Sequence, residues 1–225
     1  MAYQFDFGPV FAASDQLITG VIHTLQFSFA AIVLGLIASI LGVMARTSRI
    51  TIVARLTRGY VEVIRNTPFV VQLFFLYFSL PILKIEIDAN TAAMIALVAN
   101  FAGYGTEILR AGIESIPRGQ IEAARALGLN QLQTFRKIIL YPAIGIVYPA
   151  LVGQSVLLFL NTSVISVISA EELSAAANGI QSLTFRSFEV YAVATAIYLV
   201  LSIFLRAIFS SAYWWFFVRG KGVRA

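Results

Sequence analysis

Apolar runs extend from about Leu17 to Met44, Ile52 to Leu83, Thr91 to Ile113, Phe135 to Leu160 and Val190 to Val218, separated by short polar connectors. A helix crosses the hydrocarbon core with about 20 apolar residues, and in lipid only helices or closed barrels satisfy every backbone group. The runs predict an all-α polytopic membrane protein with about five transmembrane helices, one domain over residues 1–225.

Two stretches break the pattern of plain lipid-facing helices. Ile138 to Ala170 stays mostly apolar for 33 residues, too long for one span and too short for two with a turn. Its Gly145, Pro149, Gly153, Gln154, Asn161, Thr162 and Ser163 predict a broken or re-entrant segment, tolerated where protein or a watery cavity satisfies the backbone. The other stretch is Arg65-Asn66-Thr67-Pro68, inside the second run. Pro68 removes one donor and displaces the Ile64 carbonyl, so a kink with a free acceptor is expected there.

Charge sets the orientation. Arg46, Arg49, Arg55 and Arg58 lie between the first two runs, Arg118, Arg125, Arg136 and Lys137 between the third and fourth, and Arg219, Lys221 and Arg224 after the fifth. Eleven of the sixteen basic residues thus share one side, and the positive-inside rule puts the N-terminus outside and the C-terminus in the cytosol. The N-terminal segment lacks the basic n-region of a cleaved signal peptide, so the first span is expected to be retained. Tyr213, Trp214 and Trp215 fit an aromatic belt at the cytosolic interface.

With 59% hydrophobic residues, 12% charged and a mean hydropathy of +0.85, the chain needs lipid around it. It has no cysteine and one histidine, His23, which removes disulfide frameworks, thiolate nucleophiles and Cys/His metal clusters. An intramembrane enzyme lacks its usual His pair, metal cluster or Ser/His dyad, and no TVGYG-like filter points to a channel. The basic residues flank apolar runs and form no separate patch, so no nucleic acid is expected as a partner. No internal repeat is present, so any two-fold symmetry in a transport path must come from a second subunit.

The most informative polar segment is Ile116-Pro-Arg-Gly-Gln-Ile-Glu122-Ala123-Ala124-Arg-Ala-Leu-Gly128-Leu-Asn130, followed by Phe135-Arg-Lys-Ile-Ile-Leu-Tyr141-Pro142. Pro117 and Gly119 end the third span, and the next eight residues form a short helix that Gly128 can terminate. By spacing alone this is either a connector on the membrane surface or a docking helix whose small residues admit another protein.

Glu122-Ala123-Ala124, then Gly128, then Ile138-Ile139-Leu140 with Pro142, resembles the EAA loop of permease subunits in ATP-binding-cassette (ABC) importers. Arg65-Asn-Thr-Pro68, Val71-Gln-Leu-Phe-Phe-Leu-Tyr77, Ala111-Gly-Ile-Glu-Ser-Ile-Pro117 and Thr184-Phe-Arg-Ser-Phe-Glu189-Val-Tyr191 are similar to its polar amino acid branch. The resemblance runs from about Gly20 to Tyr198. It implies a type I ABC importer permease fold, paired with an identical or homologous permease, a cytosolic ATPase dimer and an extracytoplasmic substrate-binding protein, in a bacterial inner membrane. It also implies that residues 116–130 form the coupling helix, with Glu122, Ala123, Ala124 and Gly128 at the ATPase. No GxxxxGK[ST] loop is present, so ATP and Mg belong to the partner and this chain carries no cofactor.

The sequence departs from that family where Leu160-Asn161 stands for a usual Lys-Asp, and where Asn66 stands for a glycine. Both fall at the expected kinks. For the substrate path we single out Asn66, Thr67, Gln72, Gln154, Asn161, Thr162, Ser163 and Ser166, whose amides and hydroxyls can replace a zwitterion's water shell without an unpaired buried charge. The same groups could instead hydrogen-bond between helices. Glu107 with Arg110, and Glu62 with Arg65, have the spacing of internal ion pairs, although ionisable groups in membranes are often functional. His23 fits an interfacial or structural role. The Phe74-Phe75 and Tyr77-Phe78 run fits packing and lipid contact, with Tyr77 or Tyr104 as possible cavity residues.

Overall fold

In a computed structural model, which describes residues 3–219, every element is helical and no strand occurs among the described residues. The helices are α1 (Gly8–Ala12), α2 (Ser14–Arg46), α3 (Thr51–Asn66), α4 (Phe69–Ser79), α5 (Ala89–Glu114), α6 (Arg118–Ala126), α7 (Gln131–Gln133), α8 (Tyr141–Asn161), α9 (Leu173–Thr184) and α10 (Ser187–Tyr213). Four stretches are long and apolar enough to span a membrane, and α3 with α4 makes a fifth if the bent pair is one span. The Lys221 and Arg224 positions used to read topology lie outside the described residues.

The core is a close, parallel pairing of α2 with α5, dictated by small residues on the touching faces. Ser39 Oγ donates to the Gly35 carbonyl at 2.7 Å, and Thr106 Oγ1 reaches the Ser39 carbonyl at 3.4 Å. A Cβ on Gly42 would stand 2.2 Å from Thr106 Oγ1, and one on Gly105 would stand 2.1 Å from Ser39 Oγ. Because lipid tails are as apolar as leucine, such packing and polar contacts hold membrane helices together. Gly42→Ala should therefore lower the detergent melting temperature clearly, and adding Thr106→Ala, which removes the clashing hydroxyl, should recover most of the loss. Failure of the double variant to recover would show that the loss does not come from this contact.

Against the pair lie α8, the α4 segment and α9. Leu73, Leu97, Phe101, Leu158 and Ile165 interlock in one buried cluster, and Leu17, Leu173, Ala177, Ile180 and Val190 in another. By contrast α10 is covered on few sides, with Leu199, Val200, Ile203 and Phe204 all more than half exposed.

Two expectations need correction. The stretch from Gln131 to Ile168 is one uninterrupted 38-residue helical span, π-wound over Thr134–Leu140 and tightened to 3-10 over Thr162–Ile168, not a broken or re-entrant segment. The hydroxyls expected to accompany a break instead bond back along the helix: Thr162 Oγ1 to the Phe159 carbonyl at 2.6 Å, Ser163 Oγ to Leu160 at 2.7 Å and Ser166 Oγ to Ser163 at 2.8 Å. Conversely, the second run is more than kinked. It breaks at Thr67-Pro68 by 115°, separating an amphipathic α3 from a short apolar α4.

The segment after Ile168 contains α9, a helix not expected from the sequence. Glu172 caps it by accepting the Ala175 N–H at 2.8 Å, and Phe185, in a left-handed conformation, ends it. Its Leu173, Ala177 and Ile180 have the helical spacing of a buried face.

Candidate functional site

The helix α6 follows α5 after a three-residue turn, Ser115 to Pro117, in which Pro117 is extended. Leu127 and Gly128 close it in a Schellman arrangement: the Gly128 N–H reaches the Arg125 carbonyl at 3.0 Å and the Leu129 N–H the Ala124 carbonyl at 3.1 Å. Gly128 sits at φ +78°, where side chains are strained. Asn130 then starts α7 with a capping box shared with Gln133.

The faces of α6 divide the expected coupling residues. Glu122, Ala123 and Gly128 are exposed, but Ala124 is buried within the chain and cannot meet a partner directly. Its small side chain belongs to packing instead. A residue missed in sequence stands beside them: Leu127, 80% exposed at the end of α6. Its signal was available, since a leucine immediately before a helix-ending glycine has no neighbour one turn further on to cover it.

The expected path residues divide too. At the α3–α4 break, Gln72 Nε2 donates to the Ile64 carbonyl at 2.8 Å and to Thr67 Oγ1 at 2.9 Å, while Gln72 Oε1 accepts from Asn100 Nδ2 of α5 at 2.9 Å. The acceptor freed by Pro68 is thus filled by the protein's own glutamine, which pins the break to α5. Thr67 Oγ1 donates to the Val63 carbonyl and Asn66 Nδ2 to the Glu62 carbonyl and carboxylate. The Asn66 amide is exposed.

Asn161, Ser163 and Ser166 are half-buried on the stretch that lies against α4. Thr162 is fully buried, so it serves the core and not a path. Gln154 is 7% exposed, and its amide makes no side-chain hydrogen bond among the described residues. None of the principal cavities is lined by any of the eight residues. Asn66 is exposed and Asn161 and Ser163 are half-buried, and no hydrogen bond joins Asn66 to either among the described residues.

At the α6 end, Glu107 of α5 gathers arginines from three helices. Arg110 Nη2 lies 2.6 Å from its Oε1, Arg46 Nη1 of α2 2.9 Å from Oε2, and Arg65 Nη1 of α3 3.7 Å from Oε1. Arg110 also pairs with Glu114. The expected Glu107–Arg110 pair is present within a larger cluster, whereas Arg65 turns to Glu107 and not to Glu62, whose carboxylate holds Asn66.

At the opposite end His23 Nδ1 stands 3.8 Å from Glu171 Oε2, beside a cavity of about 530 Å³. Next to it Glu172, 1% exposed, accepts hydrogen bonds from the Tyr198 hydroxyl and the Ala175 N–H. Burial pushes this carboxyl above the usual range even though those donors oppose the shift. Phe75 and Phe78 are exposed as expected of lipid contacts, while Tyr77 packs on the core. Tyr104 directs its hydroxyl to the Arg65 carbonyl at 3.4 Å.

Comparison with known proteins gives this architecture its setting. The chain is 35% identical over 210 residues to the nopaline transport system permease protein of Agrobacterium fabrum, covering 89% of this chain and 87% of that protein. It is 35% identical over 204 residues to the glutamine transport system permease protein of Escherichia coli K12, covering 90% and 93%. The crystal structure of an amino acid ABC transporter with histidines contains a chain of the same fold, with a TM-score of 0.87, 34% identity, and 94% and 99% of the two chains covered. Residues 31–212 match the model of the binding-protein-dependent transport system inner membrane component, and the chain belongs to that family.

Proposed function

We propose that this chain is a membrane-spanning subunit of an ATP-driven bacterial importer and forms, with a second permease subunit, the path for a polar amino acid or close analogue by alternating access. The observation that carries this reading is α6, an exposed, independently terminated helix joined to α5 by a three-residue turn, combined with relatives named as glutamine and nopaline transport permeases. A cytosolic ATPase dimer binds ATP and Mg and receives Glu122, Ala123 and Leu127. An extracytoplasmic binding protein delivers the ligand. The chain itself contributes no hydrolytic chemistry.

The path in this reading runs past Asn66, Asn161, Ser163 and Ser166, none of which is fully buried, and is closed by the second permease, with Gln154 as the buried amide that a ligand can engage. Thr67 and Gln72 hold the α3–α4 break that shapes it. In the membrane the N-terminus lies outside and the C-terminus in the cytosol. A tag ahead of Asp15 should accordingly be reachable from outside intact cells and a tag on Ala225 only after lysis. Both tags reachable from one side would overturn the five-span topology.

Ligand recognition is tested at Asn161. At an effective dielectric of about 20, a unit charge ~4 Å away is worth roughly 4 kcal/mol before desolvation. In proteoliposomes holding the complete importer, Asn161→Asp should shift uptake toward cationic ligands, and Asn161→Leu should lower uptake while the ATPase stays bound. Unchanged rates and preferences in both variants would remove Asn161 from the path.

A further inference from the structure

The break between α3 and α4 fixes the direction of the amides around it. Gln72 Nε2 faces the carbonyls of Ile64 and Thr67 at 2.8 and 3.0 Å. It also lies 2.9 Å from the Thr67 hydroxyl, whose own hydrogen is committed to the Val63 carbonyl. All three groups can only accept there, so the nitrogen of Gln72 must point to them and its oxygen away. That oxygen meets α5, and the residue opposite must donate. Asn100, 5% exposed and suggested by no sequence motif, does so through Nδ2 at 2.9 Å.

The two halves of the bent pair hold α5 differently. Helix α3 is keyed along it: the Tyr60 hydroxyl donates to the Ala99 carbonyl at 2.5 Å, a Cβ on Gly103 would stand 2.5 Å from Ile64 Cγ2, and Arg65 reaches Glu107. Helix α4 meets the core through Leu73, Leu76 and Tyr77, non-directional contacts that resist separation but not turning. Gln72–Asn100 is the sole side-chain hydrogen bond from α4 to α5 among the described residues. Being directional, it fixes the angle that the apolar contacts leave free.

We infer that Asn100 is a positioning residue for transport: through the Gln72 amide it latches α4 at its 115° angle to α3, and α4 swings on α3 only when that bond opens. The angle matters because the break carries Asn66 and Thr67, and α4 lies against the Thr162–Ile168 stretch that holds Ser163 and Ser166. With the latch gone, the two groups of residues lose their fixed spacing, and ATP is hydrolysed without moving the ligand. The effect on uptake rests on the importer reading; the latch itself does not.

The chain has no cysteine, so Val63→Cys and Phe75→Cys, both more than half exposed and on opposite sides of the break, take spin labels as its sole thiols. Their separation is read by pulsed electron paramagnetic resonance on the complete importer in nanodiscs without ATP, and ligand imported per ATP hydrolysed is read in proteoliposomes. The otherwise unaltered chain should give one narrow distance. Asn100→Leu, which keeps the volume and removes the donor, should broaden the distribution. It should also lower import per ATP about tenfold, which corresponds to about 1.4 kcal/mol, the cost of leaving one buried acceptor without a donor. Gln72→Leu should do at least as much, and adding Asn100→Leu to it should change nothing further, because the donor has already lost its acceptor. A merely structural role would lower uptake and hydrolysis together and leave import per ATP at the wild-type ratio, which overturns the inference. A narrow distribution in Asn100→Leu overturns it too, as does a double variant that loses more than Gln72→Leu alone, since Asn100 would then act apart from Gln72. Should Asn100→Leu fail to assemble, the comparison of Gln72→Leu with the double variant decides in the same way. Absence of uptake by the wild type would fail the importer reading, whereas the distances decide the latch without any transport.

Discussion

Reversing Glu122 to lysine, or replacing Gly128 with leucine, abolishes ligand uptake by the reconstituted importer while the permease stays folded. Glu122 is exposed and makes no internal salt bridge among the described residues, so the reversal removes nothing from the fold. What it alters is the charge that α6 presents to the proposed ATPase partner. Leucine at Gly128 meets the left-handed φ of +78°, which costs a residue with a side chain about 1–2 kcal/mol and rotates the end of α6 away from its Schellman closure. Each 1.4 kcal/mol lost at the interface weakens docking about tenfold. The measurement is uptake together with ATPase activity stimulated by the binding protein, and melting temperatures should stay near wild type. Normal uptake in both variants would detach α6 from the coupling role.

Glu107→Ala has the larger effect on stability. The carboxylate is only 19% exposed and gathers Arg46, Arg65 and Arg110. Removing one member of a buried ion cluster strands the others, at about 3–5 kcal/mol, here toward the lower end because solvent reaches the group. At about 2–4 °C per kcal/mol for a chain of this size, the melting temperature should fall on the order of 10 °C. Glu114→Ala is the contrast. Its side chain is 60% exposed, and losing a surface pair costs about 0.2–1 kcal/mol. Equal drops in the two variants would show that Glu107 is not the hub.

The residues that could be read locally were read well. Five apolar runs became four spans and one bent pair, and Pro117 and Gly128 bound a helix at the expected place. Pro68 marks the break, though not its size of 115°, and the amphipathic character of α3 is concealed by a hydropathy average. The continuous α8 and the helix α9 were harder because serine and threonine hydroxyls look alike whether they line a cavity or bond back to their own carbonyls. Distance along the chain hides other contacts. Nothing near Glu172 in sequence announces its partners, Tyr198, 26 residues away, and Thr24, 148 away, which the fold brings to its carboxylate. Ala124, likewise, differs from Ala123 only in the direction it faces. The proposed path is least legible, since none of the principal cavities is lined by the residues that suggested it.

The tight α2–α5 pairing has a mechanical meaning. Helix α5 has no proline in its 26 residues and is about 39 Å long at about 1.5 Å per residue. Asp88 caps its far end, accepting from the Thr91 N–H and hydroxyl, which hold this carboxyl below its usual range. Interlocked with α2 through Ser39 and Thr106, the helix behaves as a stiff rod with α6 fastened to one end. A tilt of about 5° applied at α6 then carries the Asp88 end about 3 Å sideways over that length. A small stroke at the α6 end is thus delivered at the Asp88 end nearly undiminished, and bending is left to the α3–α4 elbow.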